Sequence, residues 1–135
     1  MPFVGKCLCE QTVVSLDSAH EDQVLCHCTD CRRTSGSAFT TNVLAPSDLV
    51  KITGPVKEFA TKGDSGNMVT RVFCGNCGCA ISHKSAVFGN AQAIQTGIFP
   101  VFAKIPVGAE IYVKDRWTGL APVPGAAQFE KTPPS

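Results

Sequence analysis

Alternating apolar and polar positions mark much of the chain as a series of short β-strands. In residues 11–16 (Q-T-V-V-S-L), the side chains of Thr12, Val14 and Leu16 fall on one face of an extended segment. Similar segments recur roughly every eight to twelve residues and are separated by turn-forming Gly, Pro, Asn and Asp. This pattern predicts a mostly β fold dominated by antiparallel pairing. The other predicted strands cover residues 22–26, 38–44, 56–61, 68–73, 79–83, 93–99 and 110–114.

A short helix and a hairpin loop are the clearest local signals besides the strands. Thr29–Ser35 predicts a short helical turn that ends at Gly36. Residues 62–67 (K-G-D-S-G-N) predict a hairpin loop, because they combine two glycines with Asp and Asn. After Arg116 the sequence is rich in Gly, Pro and Ala without periodicity. We therefore expect one domain over residues 1–135, with a core from about 5 to 118 and a loosely held C-terminal tail.

Composition narrows the class of protein. Of the 135 residues, 44% are hydrophobic and 17% are charged, which is too apolar for a disordered chain. No apolar run approaches the roughly 20 residues that cross a bilayer as a helix. Twelve basic and eleven acidic residues give a formal net charge of +1. A protein without a charge excess is not expected to bind nucleic acid or an anionic membrane surface electrostatically.

Cysteine is the unusual component, with eight residues in three closely spaced groups. Thiols two or three residues apart converge easily on one metal ion, whereas disulfide geometry disfavours pairing between them. The N-terminus shows no positively charged stretch followed by an apolar one, so we expect a reducing, cytoplasmic location. Metal–thiolate binding is therefore expected, with zinc as the default ion. The groups are Cys7 and Cys9; Cys26, Cys28 and Cys31; and Cys74, Cys77 and Cys79.

The spacing divides these cysteines into two candidate zinc sites. A closed structural site needs four ligands, and two short-spaced pairs supply them; we call this set the clamp. The remaining three cysteines, which we call the trio, leave zinc one position open, as in a reactive site. The trio is expected to retain its zinc less firmly than the clamp. The clamp consists of Cys7, Cys9, Cys74 and Cys77, and the trio of Cys26, Cys28 and Cys31.

The sequence leaves more than one role open for several residues near these cysteines. A second structural site would arise if the trio were closed by Cys79 or by a histidine at position 20, 27 or 83. Cys79 is otherwise a reactive thiol or a small buried residue. His27 is expected to point away from the metal, and the other two histidines are expected at the surface. Arg32 and Arg33 are candidates to neutralise the anionic zinc site or to bind a substrate carboxylate, and Ser35 is a candidate to donate a hydrogen bond to a zinc thiolate. Solvated arginines and a serine at a helix end are equally ordinary.

The order of these motifs resembles the glutathione-dependent formaldehyde-activating enzyme family, also called the centromere protein V/GFA domain. The similarity is carried by residues 5–9 (G-K-C-L-C), 26–39 (C-H-C-T-D-C-R-R-T-S-G-S-A-F) and 73–78 (F-C-G-N-C-G), and extends weakly to Gly97 and residues 111–117. It implies an Mss4-like fold of twisted antiparallel sheets. It also implies a structural zinc on the clamp and a catalytic zinc on the trio.

The reaction that names the family joins formaldehyde and glutathione, and it is classed with the carbon–sulfur lyases. The resemblance thus implies a zinc-dependent lyase that acts on a thiol/aldehyde adduct, with glutathione as a small-molecule substrate. The sequence departs from relatives at Cys79, at Ile98-Phe99-Pro100 in place of an acidic pair, and at Ala109-Glu110 in place of a histidine. Two alternatives therefore stay open. One is a zinc Lewis-acid lyase, dehydratase or cyclase that needs no glutathione, and the other is a non-catalytic, zinc-stapled binding module.

Overall fold

A computed structural model describes residues 2–133 as two β-sheets, one α-helix and several 3-10 turns. None of its helices has the length and apolar character needed to span a bilayer within these residues. The strands are β1 (Phe3–Lys6), β2 (Val13–Leu16), β3 (Gln23–Cys26), β4 (Thr40–Pro46), β5 (Val50–Thr53), β6 (Val56–Lys62), β7 (Met68–Cys74), β8 (Ala80–Ser85), β9 (Ala91–Gln95), β10 (Val107–Ile111) and β11 (Ala127–Gln128). The helix α1 is Thr29–Ser35, and the 3-10 turns are Ser47–Leu49, Ala86–Phe88, Thr96–Ile98, Pro100–Lys104 and Val113–Asp115.

The predicted mostly β fold is confirmed. The smaller sheet has the strand order β1-β2-β5, and the larger has the order β11-β10-β3-β4-β9-β8-β7-β6. Neighbouring strands are antiparallel except at one edge, where β10 runs parallel to both β3 and β11. Local periodicity does not distinguish parallel from antiparallel pairing, so this parallel edge could not be predicted from the sequence. Its consequence is that Ile111 pairs with Cys26, and the chain leaves β10 beside the trio.

Two predicted strands end early, each at a local change of backbone direction. The strand predicted over residues 93–99 stops at Gln95, because a 3-10 turn begins at Thr96. The strand predicted over 110–114 stops at Ile111, because Tyr112 adopts a left-handed conformation with φ 55°. A tyrosine rarely adopts this conformation.

The main core lies between the two sheets. Val14 and Leu16 of β2 are fully buried, as is the adjacent Thr12, so the predicted apolar face of this segment is confirmed. Val14 and Leu16 belong to the same cluster of buried hydrophobic residues as Phe99. A Cβ atom at Gly5 would lie 2.8 Å from the Phe99 ring, so glycine is what lets β1 approach this aromatic side chain.

The helix α1 begins and ends at the predicted residues. Cys28 precedes it as the N-cap, and its sulfur accepts a hydrogen bond from the backbone N–H of Cys31 at 3.3 Å. At the other end, Gly36 adopts a left-handed conformation with φ 66° and donates its N–H to the Arg32 carbonyl. Two cysteines of the trio are therefore fixed at the start of this helix.

The segment beyond residue 118 makes hydrogen bonds to β10 and to the residue that follows it. Glu110 is 1% exposed, and its carboxylate accepts hydrogen bonds from His27 Nε2 at 2.7 Å, the Val123 N–H at 2.8 Å and Gln128 Nε2 at 2.7 Å. The Lys131 carbonyl also accepts the N–H of Tyr112. These hydrogen bonds reach residue 131; the core boundary and the loosely held tail over 130–135 stay predictions, and positions 134 and 135 lie outside the described residues.

We expect the Glu110 carboxylate to stabilise the fold in a pH-dependent way. Burial raises its pKa, but the hydrogen bonds from Gln128, Val123 and His27 outweigh burial and lower it to about 2, from 4.5. Because the folded pKa is lower, the stabilisation is complete above pH 4.5 and is lost as the pH falls towards 2. Glu110→Gln should lower the free energy of unfolding by about 3 kcal/mol at neutral pH, and the difference from wild type should shrink in acid.

Urea unfolding at a series of pH values measures this difference. Glu58→Gln is the matched control, because Glu58 forms only an exposed ion pair with Lys84 at 3.7 Å. The control should stay near wild type at every pH. A gap between Glu110→Gln and wild type that is the same at pH 7 and pH 3 would contradict the assignment.

Candidate metal centres

The four clamp sulfurs form a compact cluster made from two distant parts of the chain. Their sulfur atoms all lie within 4.8 Å of one another; the Cys7–Cys9 separation is 3.5 Å and the Cys9–Cys74 separation is 3.7 Å. Zinc–sulfur bonds of about 2.3 Å place the corners of a tetrahedron about 3.8 Å apart. A disulfide would need about 2.05 Å, and all eight cysteines are free thiols. The clamp therefore fits a four-thiolate metal site.

Backbone hydrogen bonds support the thiolate state at several of the clamp sulfurs. The N–H of Thr12 donates to Cys7 Sγ at 3.3 Å, and the N–H groups of Asn76 and Cys77 donate to Cys74 Sγ at 3.4 and 3.5 Å. Backbone N–H groups of Cys79 and Cys9 lower the pKa of Cys77 to about 6. Such donors favour the charged form of the sulfur.

The trio is the second cluster, built where β3 leads into α1. Its three sulfurs lie within 4.8 Å of one another; Cys26 and Cys31 are buried, whereas Cys28 is partly exposed. Hydrogen bonds from Cys26 and Cys28 hold the pKa of Cys31 well below its usual range, while Cys28, Cys31 and burial raise the pKa of Cys26. Three sulfurs in one place, one already favoured as thiolate, are a donor set suited to a soft divalent cation.

Within residues 2–133, no further Cys, His, Asp or Glu joins the trio as a fourth ligand atom within 4.8 Å. His27 turns to Glu110, which confirms that it points away from the sulfurs, and His20 Nε2 bonds the Ser18 hydroxyl at 2.7 Å. Cys79 lies beside the clamp, where its sulfur accepts the Leu8 N–H at 3.3 Å. The trio thus has three protein ligands and one side without a ligand.

A cavity of about 530 Å³ opens directly onto the trio. Its walls come from the β6–β7 hairpin, β7, β8, the turn that follows β8, and the segment after β10. His83, expected at the surface, is instead buried in this wall at 9% exposure. Burial and the charge of Arg71 lower the pKa of His83 to about 4, so its imidazole is neutral at pH 7. Burial also raises the pKa of Tyr112 to about 12, so its hydroxyl keeps its proton.

The charges that line the cavity are partly paired. Lys114 forms an ion pair with Asp115 at 3.1 Å, and Asp64 forms one with Lys131 at 3.6 Å. Lys62 and Arg71, by contrast, have no carboxylate within 4.0 Å among residues 2–133, and Asp30 has no cation there.

Arg71 is the least satisfied of these groups. Its Nε atom is buried with no acceptor, and Nη1 makes a 3.5 Å contact with the Thr34 hydroxyl. Together with Lys62 and Asp30, it leaves the cavity with two unpaired cations and one unpaired carboxylate in the described part of the chain.

The predicted substrate-binding residues beside the trio lie outside this cavity. Arg32 donates to the Asp115 carbonyl at 3.2 Å, Arg33 is exposed, and the Ser35 hydroxyl donates to the Cys31 carbonyl at 2.8 Å and not to a sulfur. Their role in binding stays a prediction. The residues that do line the cavity were missed because they are adjacent to the trio only through strand pairing. A faint signal existed in the polar residues of β7 and β8, where Arg71 pairs directly with His83.

We expect the clamp to contribute more to stability than the trio. The clamp joins residues 65 positions apart, whereas the trio spans six residues, so its metal closes almost no loop. Cys74→Ser should lose one metal equivalent and lower the melting temperature by on the order of 10 °C. Cys28→Ser should lower it by much less. Metal content and thermal melting measured side by side check this, and greater damage by Cys28→Ser would make the trio the structural site.

Comparison with known proteins agrees with this architecture. No curated protein matches the sequence significantly. Among solved structures, a crystal structure of a Rhodobacter sphaeroides protein superposes with a TM-score of 0.58 and 17% sequence identity; the match covers 77% of this chain and 98% of that one, and shows a shared fold. The family model described as glutathione-dependent formaldehyde-activating enzyme matches residues 2–115, a range that includes all eight cysteines. The chain therefore belongs to the glutathione-dependent formaldehyde-activating enzyme family.

Proposed function

We propose that this protein is a zinc-dependent carbon–sulfur lyase that makes and breaks the bond between a thiol, glutathione, and a small aldehyde such as formaldehyde. The observation that carries the proposal is the trio, whose three sulfurs border a 530 Å³ cavity without a fourth ligand among residues 2–133. Cavities of roughly 300 to 1,000 Å³ are typical of small-molecule sites. Membership of the family supports the same reaction class.

Both clusters suit zinc, but zinc would have a different role in each of them. The clamp would hold it with four thiolates as a structural ion, and the trio would hold it with three. Zinc held by three thiolates supplies affinity for an incoming thiol, favours its deprotonation and polarises a nearby carbonyl oxygen. Eight free thiols also suit a reducing compartment, and we infer a cytoplasmic location.

The unpaired charges of the cavity match the charges of glutathione. This tripeptide carries two carboxylates and one ammonium group besides its thiol. The cavity offers Lys62 and Arg71 as cations, and Asp30 as a carboxylate. Arg71 is the better anchor, since a planar guanidinium binds a carboxylate through two hydrogen bonds.

The main contribution of the protein to this reaction is to position the thiol and the aldehyde. The thiol sulfur forms a bond to the carbonyl carbon, the carbonyl π electrons move to oxygen, and the proton that left the thiol returns to that oxygen. The reverse step breaks the same carbon–sulfur bond. A cavity that holds thiol and aldehyde together replaces a bimolecular encounter with a local one, which is a large part of catalysis.

We expect a thiol to change the metal environment of the trio. In protein loaded with cobalt as a visible substitute for zinc, titration with glutathione should alter the cobalt–sulfur absorption bands. Cys28→Ser should abolish this response, and Cys79→Ser, which alters a cysteine outside both clusters, should preserve it. The rate of adduct formation, measured by NMR exchange between free and adduct glutathione, should follow the same order.

Two outcomes would contradict the proposal in different ways. Bands typical of four sulfur ligands on both cobalt ions, unmoved by any thiol, would indicate a closed trio and a binding module without catalysis. A response to small carbonyl compounds but not to thiols would indicate a lyase, dehydratase or cyclase that does not use glutathione.

A further inference from the structure

His83 is a buried residue in the wall of the trio cavity, and none of the reaction steps described so far involves it. It lies on β8, directly opposite Arg71 of β7 in the antiparallel register. Cross-strand partners point to the same face of a sheet. Both side chains line the cavity together with Cys31, so the imidazole and the trio border the same space.

Gln95 determines which nitrogen of His83 carries the proton. Its Nε2 lies 3.3 Å from His83 Nδ1, and both side chains are 9% exposed. An amide NH₂ group can only donate, so Nδ1 must present its lone pair. In a neutral imidazole the single proton is then on Nε2. The Phe88 ring packs against the imidazole with centroids 5.9 Å apart, which restricts its rotation.

The Nε2–H group is free to serve a ligand. No acceptor bonds to it among residues 2–133, although the rest of the side chain is packed. Nor do its ring nitrogens join the three trio sulfurs within 4.8 Å, so His83 is not placed as a metal ligand. The arrangement is a neutral donor held at a fixed angle beside the reacting space.

We propose that His83 is a catalytic residue whose Nε2–H donates a hydrogen bond to the aldehyde oxygen as the thiol adds to the carbonyl carbon. This inference rests on the proposed function. As the carbon–sulfur bond forms, the carbonyl π electrons move to oxygen, and the donated hydrogen bond strengthens with the developing negative charge. The oxygen then takes up the proton that the thiol released, relayed through solvent in the open cavity, and His83 keeps its own. Gln95 acts as a positioning residue, because it fixes the tautomer.

Variants of the two residues test this assignment through the rate and through thiol binding separately. His83→Phe should lower the maximal rate of adduct formation by about 100-fold, with the glutathione affinity from the cobalt bands unchanged. His83→Gln, which restores an N–H donor, should recover part of the rate. His20→Phe is the matched control, since His20 does not line the trio cavity.

Gln95→Glu provides a test that does not depend on replacing His83. A carboxylate beside Nδ1 accepts a proton from it, so at a pH where the imidazole is neutral this variant should hold the ring in the Nδ1–H tautomer and lower the rate, while thiol binding persists. Nitrogen-15 NMR of the imidazole distinguishes the tautomers directly and should show Nε2–H in the wild-type protein.

The inference and the proposed function fail in distinguishable ways. A wild-type protein that catalyses no thiol–aldehyde addition and shows no thiol response overturns both. Wild-type activity that His83→Phe retains within about threefold, or an Nδ1–H tautomer in the wild-type protein, overturns only the role of His83. If His83→Phe does not fold, the tautomer and the rate of Gln95→Glu decide the question.

Discussion

Mutual repulsion among four thiolates is the constraint on which the architecture depends. Sulfur atoms 3.5 to 3.7 Å apart at the clamp cannot all be charged without a cation between them. With a divalent ion bound, the cluster instead joins the loop after β1 to the turn after β7, which belong to different sheets. The contact between Gly5 and Phe99 is close to the same junction. Metal binding at the clamp would therefore be coupled to the packing of the two sheets.

A hydrogen bond that needs no metal also holds the trio in place. His27 lies between two cysteines of the trio, and its bond to the buried Glu110 anchors that loop to β10. The carboxylate also gathers the C-terminal segment through Val123 and Gln128. The loop that carries the sulfurs is thus fixed from behind, while its open side faces the cavity. Because these contacts lie on the side of the loop away from the cavity, the side of the trio that faces the cavity stays accessible to ligands.

The sequence predicted those structural features that depend on residues close together along the chain. The buried face of Thr12, Val14 and Leu16, the helix from Thr29 to Ser35 and the division of the cysteines into two clusters depend on periodicity, caps and short spacing. The parallel pairing of β10 with β3 and the placement of Arg71 and His83 depend on register between strands far apart in sequence. Proximity in sequence predicted roles for Arg32, Arg33 and Ser35; the Arg32 and Ser35 side chains bond the carbonyls of Asp115 and Cys31, and Arg33 is exposed.

The two halves of the candidate site differ in how freely they can change during evolution. The sulfurs are placed by buried strand ends and a helix start, so almost any substitution there alters both fold and metal. Part of the opposite wall is the β6–β7 hairpin, whose loop from Gly63 to Asn67 touches the cavity from the outside of the sheet. Exposed hairpin loops accept insertions and substitutions at little cost in stability. Substitutions in this one loop can therefore change which molecules the cavity admits, while the cysteine cluster on the opposite wall stays unchanged.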